Sequence, residues 1–276
     1  MNELRDTYAR KGAVQLSGLI SPAWIAALTA AFDEVAQAST DPDWQAPTSA
    51  SQNPLRVVRT DGELMATNMV PAHPAFGRFV TDPEIIGAIA DVVGSRTLRF
   101  WIDAVFEKRG GAGTPWHHDV CTWPFWGEQM PIFWVPLTDV GIDDAPLTTL
   151  DGSHLGGVRY HSPFSRQDVA VRPPYRPWQE LLDAVAAPDA PISTWPMAAG
   201  DCLVMHPATV HASRSWNGTT GKRRLAISLR FLGDDVRWEP DEFAVPIPAL
   251  DTHPSMRRGA PPPDDLFPRV WDGAHA

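Results

Sequence analysis

The chain has 276 residues, 43% of them hydrophobic and 20% charged, with a net charge of −10. That balance belongs to a globular protein long enough to bury a sizeable core, and β-barrels of this length are commonly single domains. The acidic surplus argues against nucleic-acid binding, which needs a basic face to displace phosphate counterions, and no Lys/Arg run is long enough for a polybasic membrane patch.

The N-terminal MNELRDTYARKG is polar and lacks the apolar heart of a signal peptide, so the cytoplasm is the expected location. Val14 to Leu19 reads as a short strand. Ser21-Pro22 then opens a helix, and Trp24, Ile25, Leu28, Phe32 and Val35 carry its apolar face to about Gln37. Residues 39–60 are polar and proline-interrupted, a predicted loop. A second helix is expected from Thr81-Asp82-Pro83 to Val93, ended by Gly94. From Thr97 the pattern changes to short β-runs at Leu98–Glu107, Ile132–Leu137, Leu203–Met205, Thr209–His211 and Leu225–Phe231. One helix is expected near Gln179–Ala187, and the proline-rich tail after Asp234 is expected on the surface. No window approaches the ~18 apolar residues of a membrane-spanning helix. Cys121 and Cys202 are the only cysteines, too few for a disulfide framework or thiolate zinc site, and are read as reduced thiols. Helices followed by many short strands predict a mainly β fold, a sandwich or jelly roll with helices on one outer face. One domain is expected over residues 1–276, with a helical part to about residue 95 and a β core over about 97–235.

The densest chemistry lies in Trp116-His117-His118-Asp119, after the turn Gly110–Gly113. On an extended segment His117 and Asp119 point to one side, because strand side chains alternate. Such a pair supplies two cis ligands, and imidazole plus carboxylate on one face with open positions is the arrangement of non-haem iron(II) oxygenases. The third ligand must come from elsewhere. By itself His-x-Asp is a weak signal, more often a surface turn with a His–Asp hydrogen bond. Further on, Gly200-Asp201 leads to a strand ending near His211, and Arg224 follows thirteen residues later at the head of an apolar strand. A buried guanidinium there needs an anionic partner, which a dicarboxylate would provide bidentately.

These residues sit within a longer likeness. The chain resembles the phytanoyl-CoA dioxygenase family of iron(II)/2-oxoglutarate oxygenases, from Tyr8–Val14 through Leu19–Pro22, Phe106–Gly111, Trp116–Asp119, Phe133–Asp139, Ala145–Leu147, Gly152–His154 and His211–Ser213 to Arg224–Phe231. The resemblance implies a double-stranded β-helix, the cupin-like jelly roll. It also implies iron(II) held by His117, Asp119 and His211, with 2-oxoglutarate as co-substrate anchored by Arg224 and assisted by Ser213. Lys108 and Trp134 match positions that line the co-substrate pocket in some members. The stretch from His211 to the arginine is about two residues longer than the family's, so Arg223 competes with Arg224. Alternation favours Arg224, which shares a face with the small Ala226 and Ser228.

The reaction implied is oxidation of a small-molecule substrate by dioxygen with release of succinate and carbon dioxide. Hydroxylation is the first expectation; desaturation, cyclisation and epimerisation stay open. A sensor β-helix without turnover, or a cupin-like protein binding another metal without 2-oxoglutarate, are the alternatives. His118, His154 and His206 are expected in structural roles, and His73, His161, His253 and His275 are given none. Trp116, Trp123, Phe125 and Trp126 are equally core or substrate wall, and Gly156–Trp178 is a candidate lid. Substrate identity, pathway and oligomeric state are not specified by these residues.

Overall fold

A computed structural model describes residues 2–48, 56–60, 62–218 and 222–273. Its strands are β1 (Ala13–Leu16), β2 (Arg56–Thr60), β3 (Glu63–Thr67), β4 (Thr97–Lys108), β5 (Thr114–His117), β6 (Ile132–Pro136), β7 (Leu147–Leu150), β8 (Ile192–Trp195), β9 (Cys202–Met205), β10 (His211–Ser213), β11 (Arg224–Leu232) and β12 (Arg269–Asp272), besides four two-residue strands that form two pairs. The longer helices are α1 (Asn2–Lys11), α2 (Pro22–Ala38), α3 (Pro83–Val93) and α4 (Trp178–Ala186).

Two antiparallel sheets face each other. Among the described residues the larger has the order β1-β9-β6-β11-β4-β3-β2, with β12 also on β4, and the smaller has the order β8-β7-β10-β5. Strand alternation divides the core in two. Leu225, Ile227, Leu229 and Phe231 of β11, with Phe133 and Val135 of β6, pack against Leu28, Phe32, Phe76, Phe79, Ile86 and Ile89 from the helices. Ala226 of β11, with Ile132 and Trp134 of β6, turns inward to meet Leu147 and Met205 between the sheets. This is the expected jelly roll with helices on one outer face.

Local signals set the helix ends. The Ser21 hydroxyl accepts from the Trp24 amide, and Asp82 accepts from the amides of Glu84 and Ile85. Gly94 ends α3 in the left-handed region at φ 70°, a conformation glycine adopts without steric cost. The Trp24 indole donates to Asp82 at 3.0 Å, tying α2 to the cap of α3.

Several expectations are corrected. The first third is not only helical, since β1, β2 and β3 join the larger sheet; part of the expected loop 39–60 is β2, and 49–55 lie outside the described residues. The strand expected at Thr209–His211 begins only at His211, because the Thr209 amide closes a turn onto the His206 carbonyl at 2.9 Å. The tail does not simply coat the surface: Phe243, Leu250 and Phe267 are buried and β12 pairs with β4.

Phe231 is fully buried, edge-on to Phe100, at the seam of sheet and helices. Phe231→Ala should cost roughly 3–5 kcal/mol, read from urea unfolding; a loss below about 1 kcal/mol would mean that this seam does not carry the fold.

Candidate active site

The pairing of β5 with β10 places His117 directly opposite His211. His118 keeps extended backbone (φ −128°, ψ 149°), so Asp119, at the start of a short 3-10 turn, returns to the side of His117. One ligand atom from each of His117, Asp119 and His211 lies within 4.8 Å of the others. The Nε2 of His117 is 3.3 Å, and that of His211 4.0 Å, from Asp119 Oδ1.

The tautomers are set by the backbone. Nδ1 of His117 lies 2.8 Å from the Pro115 carbonyl and Nδ1 of His211 lies 2.9 Å from the Thr209 carbonyl. A carbonyl only accepts, so each Nδ1 carries the proton and each Nε2 lone pair is free for a metal. Burial lowers the pKa of His211 to about 4, with the neighbouring His117 adding to the effect. Burial works against ionisation of Asp119, but the contact with His117 and the positive charge of Arg230 outweigh it and hold the carboxyl below its usual range. Two neutral imidazoles and one carboxylate, all nearly buried, suit a divalent cation. By donor chemistry and spacing these residues fit iron(II).

Beside the triad lies a cavity of about 120 Å³ lined by Lys108, Trp134, Ser213, Arg224, Ala226 and Ser228 among others. Arg224 is buried and donates to the carbonyls of Asp144 and Ala145, while the Asp144 carboxylate is taken by Lys222. Ala145 offers its carbonyl from a left-handed conformation, φ 54°, strain of the kind found at ligand sites. Burial, against Asp144 and Glu63, pulls the Arg224 pKa down. Arg223 points to the helix side, where it pairs with Asp33 and Glu107. Ser213 accepts from the Thr114 amide at 3.2 Å, leaving its hydroxyl proton for the cavity. Lys108 pairs with Glu63 at 2.8 Å.

A second chamber of about 490 Å³ meets the first at Phe106, Asp119 and Arg230. Trp123 and Trp101 wall it, stacked edge to face at 5.0 Å. Phe125 is core, Trp126 lies under the Arg159 guanidinium, and Trp116 faces an outer groove. The segment 156–178 crosses above the triad, with the Phe164 ring 4.7 Å from that of His117. Ser162 and Ser165 pin it to Cys121.

His118 is fully buried away from this cavity, its Nε2 accepting from the Tyr160 amide at 2.9 Å. His206 bonds Glu128 at 3.2 Å and His154 bonds the Ala9 carbonyl at 3.1 Å. His73 and His253 accept from amides two residues on, and His161 bonds the Arg166 carbonyl. His275 lies outside the described residues. Arg230 and Phe106 were not among the expected site residues, although extending the β11 alternation beyond Ser228 reaches Arg230.

A cupin-like jelly roll with two imidazoles and a carboxylate on one face defines the non-haem iron oxygenase class. The family described as phytanoyl-CoA dioxygenase (PhyH) matches residues 8–225, and the chain belongs to it. It is accordingly a 2-oxoglutarate-dependent oxygenase with iron(II) as its metal. No protein with a curated description is a significant match. Among solved structures, the carbocyclase SnoK from nogalamycin biosynthesis superposes with TM-score 0.72 at 22% identity, covering 98% of this chain and 96% of that one. The epimerase SnoN with iron(III), α-ketoglutarate and nogalamycin RO gives 0.68 at 24% identity, with 98% of each chain covered. HygX from Streptomyces hygroscopicus, with nickel, 2-oxoglutarate and hygromycin B, gives 0.58 at 14%, covering 88% and 89%. These likenesses establish the shared fold. No described helix is long and apolar enough to cross a membrane.

Burial also lowers the pKa of His118 to about 4. Unfolded histidine titrates near ~6.5, so below that pH the unfolded chain binds protons that folded His118 and His211 refuse down to about 4. The metal-free protein should therefore lose stability as pH falls across that window; equal urea midpoints at its two ends would contradict the burial.

Proposed function

We propose that this oxygenase hydroxylates a small secondary metabolite, with His117, Asp119 and His211 holding iron(II) and Arg224 with Ser213 holding the far carboxylate of 2-oxoglutarate. The observation that carries the reading is a buried arginine, bonded only to neutral carbonyls among the described residues, sharing one cavity with the triad. Asp144 and Glu63 act on this guanidinium only from a distance; a buried guanidinium with no carboxylate bonded to it is costly, and a dicarboxylate's distal end would relieve that cost with bidentate bonds.

Each residue then has a task. Nε2 of His117 and of His211, with an Asp119 oxygen, would hold the metal. The small Ala226 and Ser228 leave room on the cavity floor for the co-substrate, and Trp134 closes one wall. Lys108, held by Glu63, adds positive charge at the rim. Phe164 over His117 helps to exclude water. Iron(II) with 2-oxoglutarate and dioxygen supplies the oxidising power for a C–H bond, releasing succinate and carbon dioxide.

The substrate class draws support from the structural neighbours whose names place them in nogalamycin biosynthesis. Hydroxylation rather than epimerisation is favoured by the larger chamber's wall. Epimerisation must return a hydrogen atom to the opposite face of the carbon, and among the described lining residues there is no Tyr or Cys to give one.

Anaerobic titration with iron(II) and 2-oxoglutarate should develop the weak visible band of the chelate. His117→Ala should abolish metal uptake. Arg224→Ala should retain the metal but weaken 2-oxoglutarate binding by roughly 10–100-fold, the loss of a charge-assisted contact. A fully formed band in Arg224→Ala at low co-substrate would transfer the anchoring role elsewhere. With substrate supplied, succinate should form in step with a product heavier by one oxygen.

A further inference from the structure

The inward row of β11 runs Arg224, Ala226, Ser228, Arg230, and only its first arginine is used above. Arg230 lines both the 120 Å³ cavity and the 490 Å³ chamber, at their junction with Asp119. Its side chain is 17% exposed, so its charge is largely desolvated. Nη2 lies 3.4 Å from Asp119 Oδ2 and Nη1 lies 3.3 Å from the Ser228 carbonyl, both long contacts. A guanidinium offers five N–H donors, so the remaining three have no protein acceptor among the described residues. The other buried acid nearby is already committed: Asp103 accepts from the Met69 and Val70 amides at 2.7 and 3.0 Å.

Around this cation the chamber wall is mostly apolar, with Trp101, Trp123, Phe106, Met65, Ile102 and Ile247. A charge-assisted hydrogen bond in such surroundings is stronger and more selective than in water.

We propose that Arg230 is the substrate-positioning group of the oxygenase, gripping a carboxylate, phenolate or conjugated carbonyl oxygen on a largely apolar ring system held in the larger chamber. The proposal rests on the oxygenase reading above. It predicts that the oxidised carbon is close to that oxygen, because Arg230 and Asp119 touch. Arg224 reads the co-substrate at one end of the row and Arg230 reads the substrate at the other.

The test uses 2-naphthoate and its neutral counterpart 2-naphthamide, followed by quenching of tryptophan fluorescence. Zinc(II) and saturating 2-oxoglutarate are present so that Arg224 is occupied. Wild-type protein should bind naphthoate at least ~10-fold more tightly than naphthamide. Arg230→Met should abolish that preference, and Arg230→Lys should restore part of it. Calorimetric binding of zinc and 2-oxoglutarate should be kept in Arg230→Lys, whose positive charge still faces Asp119. A preference that survives in Arg230→Met, or is missing in the wild type, overturns the proposal. So does loss of zinc or 2-oxoglutarate binding in Arg230→Met and Arg230→Lys alike, which would make Arg230 a support for Asp119. Wild-type protein that binds zinc but no 2-oxoglutarate would instead sink the oxygenase reading, and this proposal with it.

Discussion

The antiparallel register of β5 on β10 sets two histidines 94 positions apart face to face. A one-residue slip in such a pair would send His117 to the opposite face of its sheet and dismantle the cluster. The register is unusual: His211 pairs with His117, yet Ser213 pairs with Thr114, so β5 carries an extra residue between them. Pro115 occupies that stretch, in the outermost strand of the smaller sheet, where the missing amide hydrogen costs little. Its carbonyl is put to use, fixing the His117 ring. One irregularity thus accommodates a proline, orients an imidazole and brings Ser213 alongside the cavity.

Much of this was legible in the sequence because it follows period-two logic. His117 and Asp119 share a side across an extended His118, and Arg224 faces inward with Ala226 and Ser228 while Arg223 is paired at the helix side. The helix ends at Ser21-Pro22 and at Asp82 to Gly94 were equally readable, since capping depends on local chemistry alone. Convergence of His211 on the pair is different. No local rule encodes it, and it entered through resemblance to a family.

What escaped reading was structure without a local signature. β2 (RVVRT) is exposed along most of its length, so no apolar alternation marks it; its pairing with β3 holds it in place. The tail's prolines suggested a surface strap, yet Phe267 is fully buried and packs on Phe125. Proline count reports backbone stiffness and says little about burial. The same tail contributes Ile247 to the larger chamber, which is why that chamber could not be drawn from the β core alone.

The buried trio of Cys121, Ser162 and Ser165 joins the crossing segment to a residue two positions past Asp119. Motion of the segment away from the triad would have to break sulfur–hydroxyl contacts that begin on the turn carrying the carboxylate. The turn that carries Asp119 and the segment that carries Phe164 are thereby anchored to one another through buried side chains.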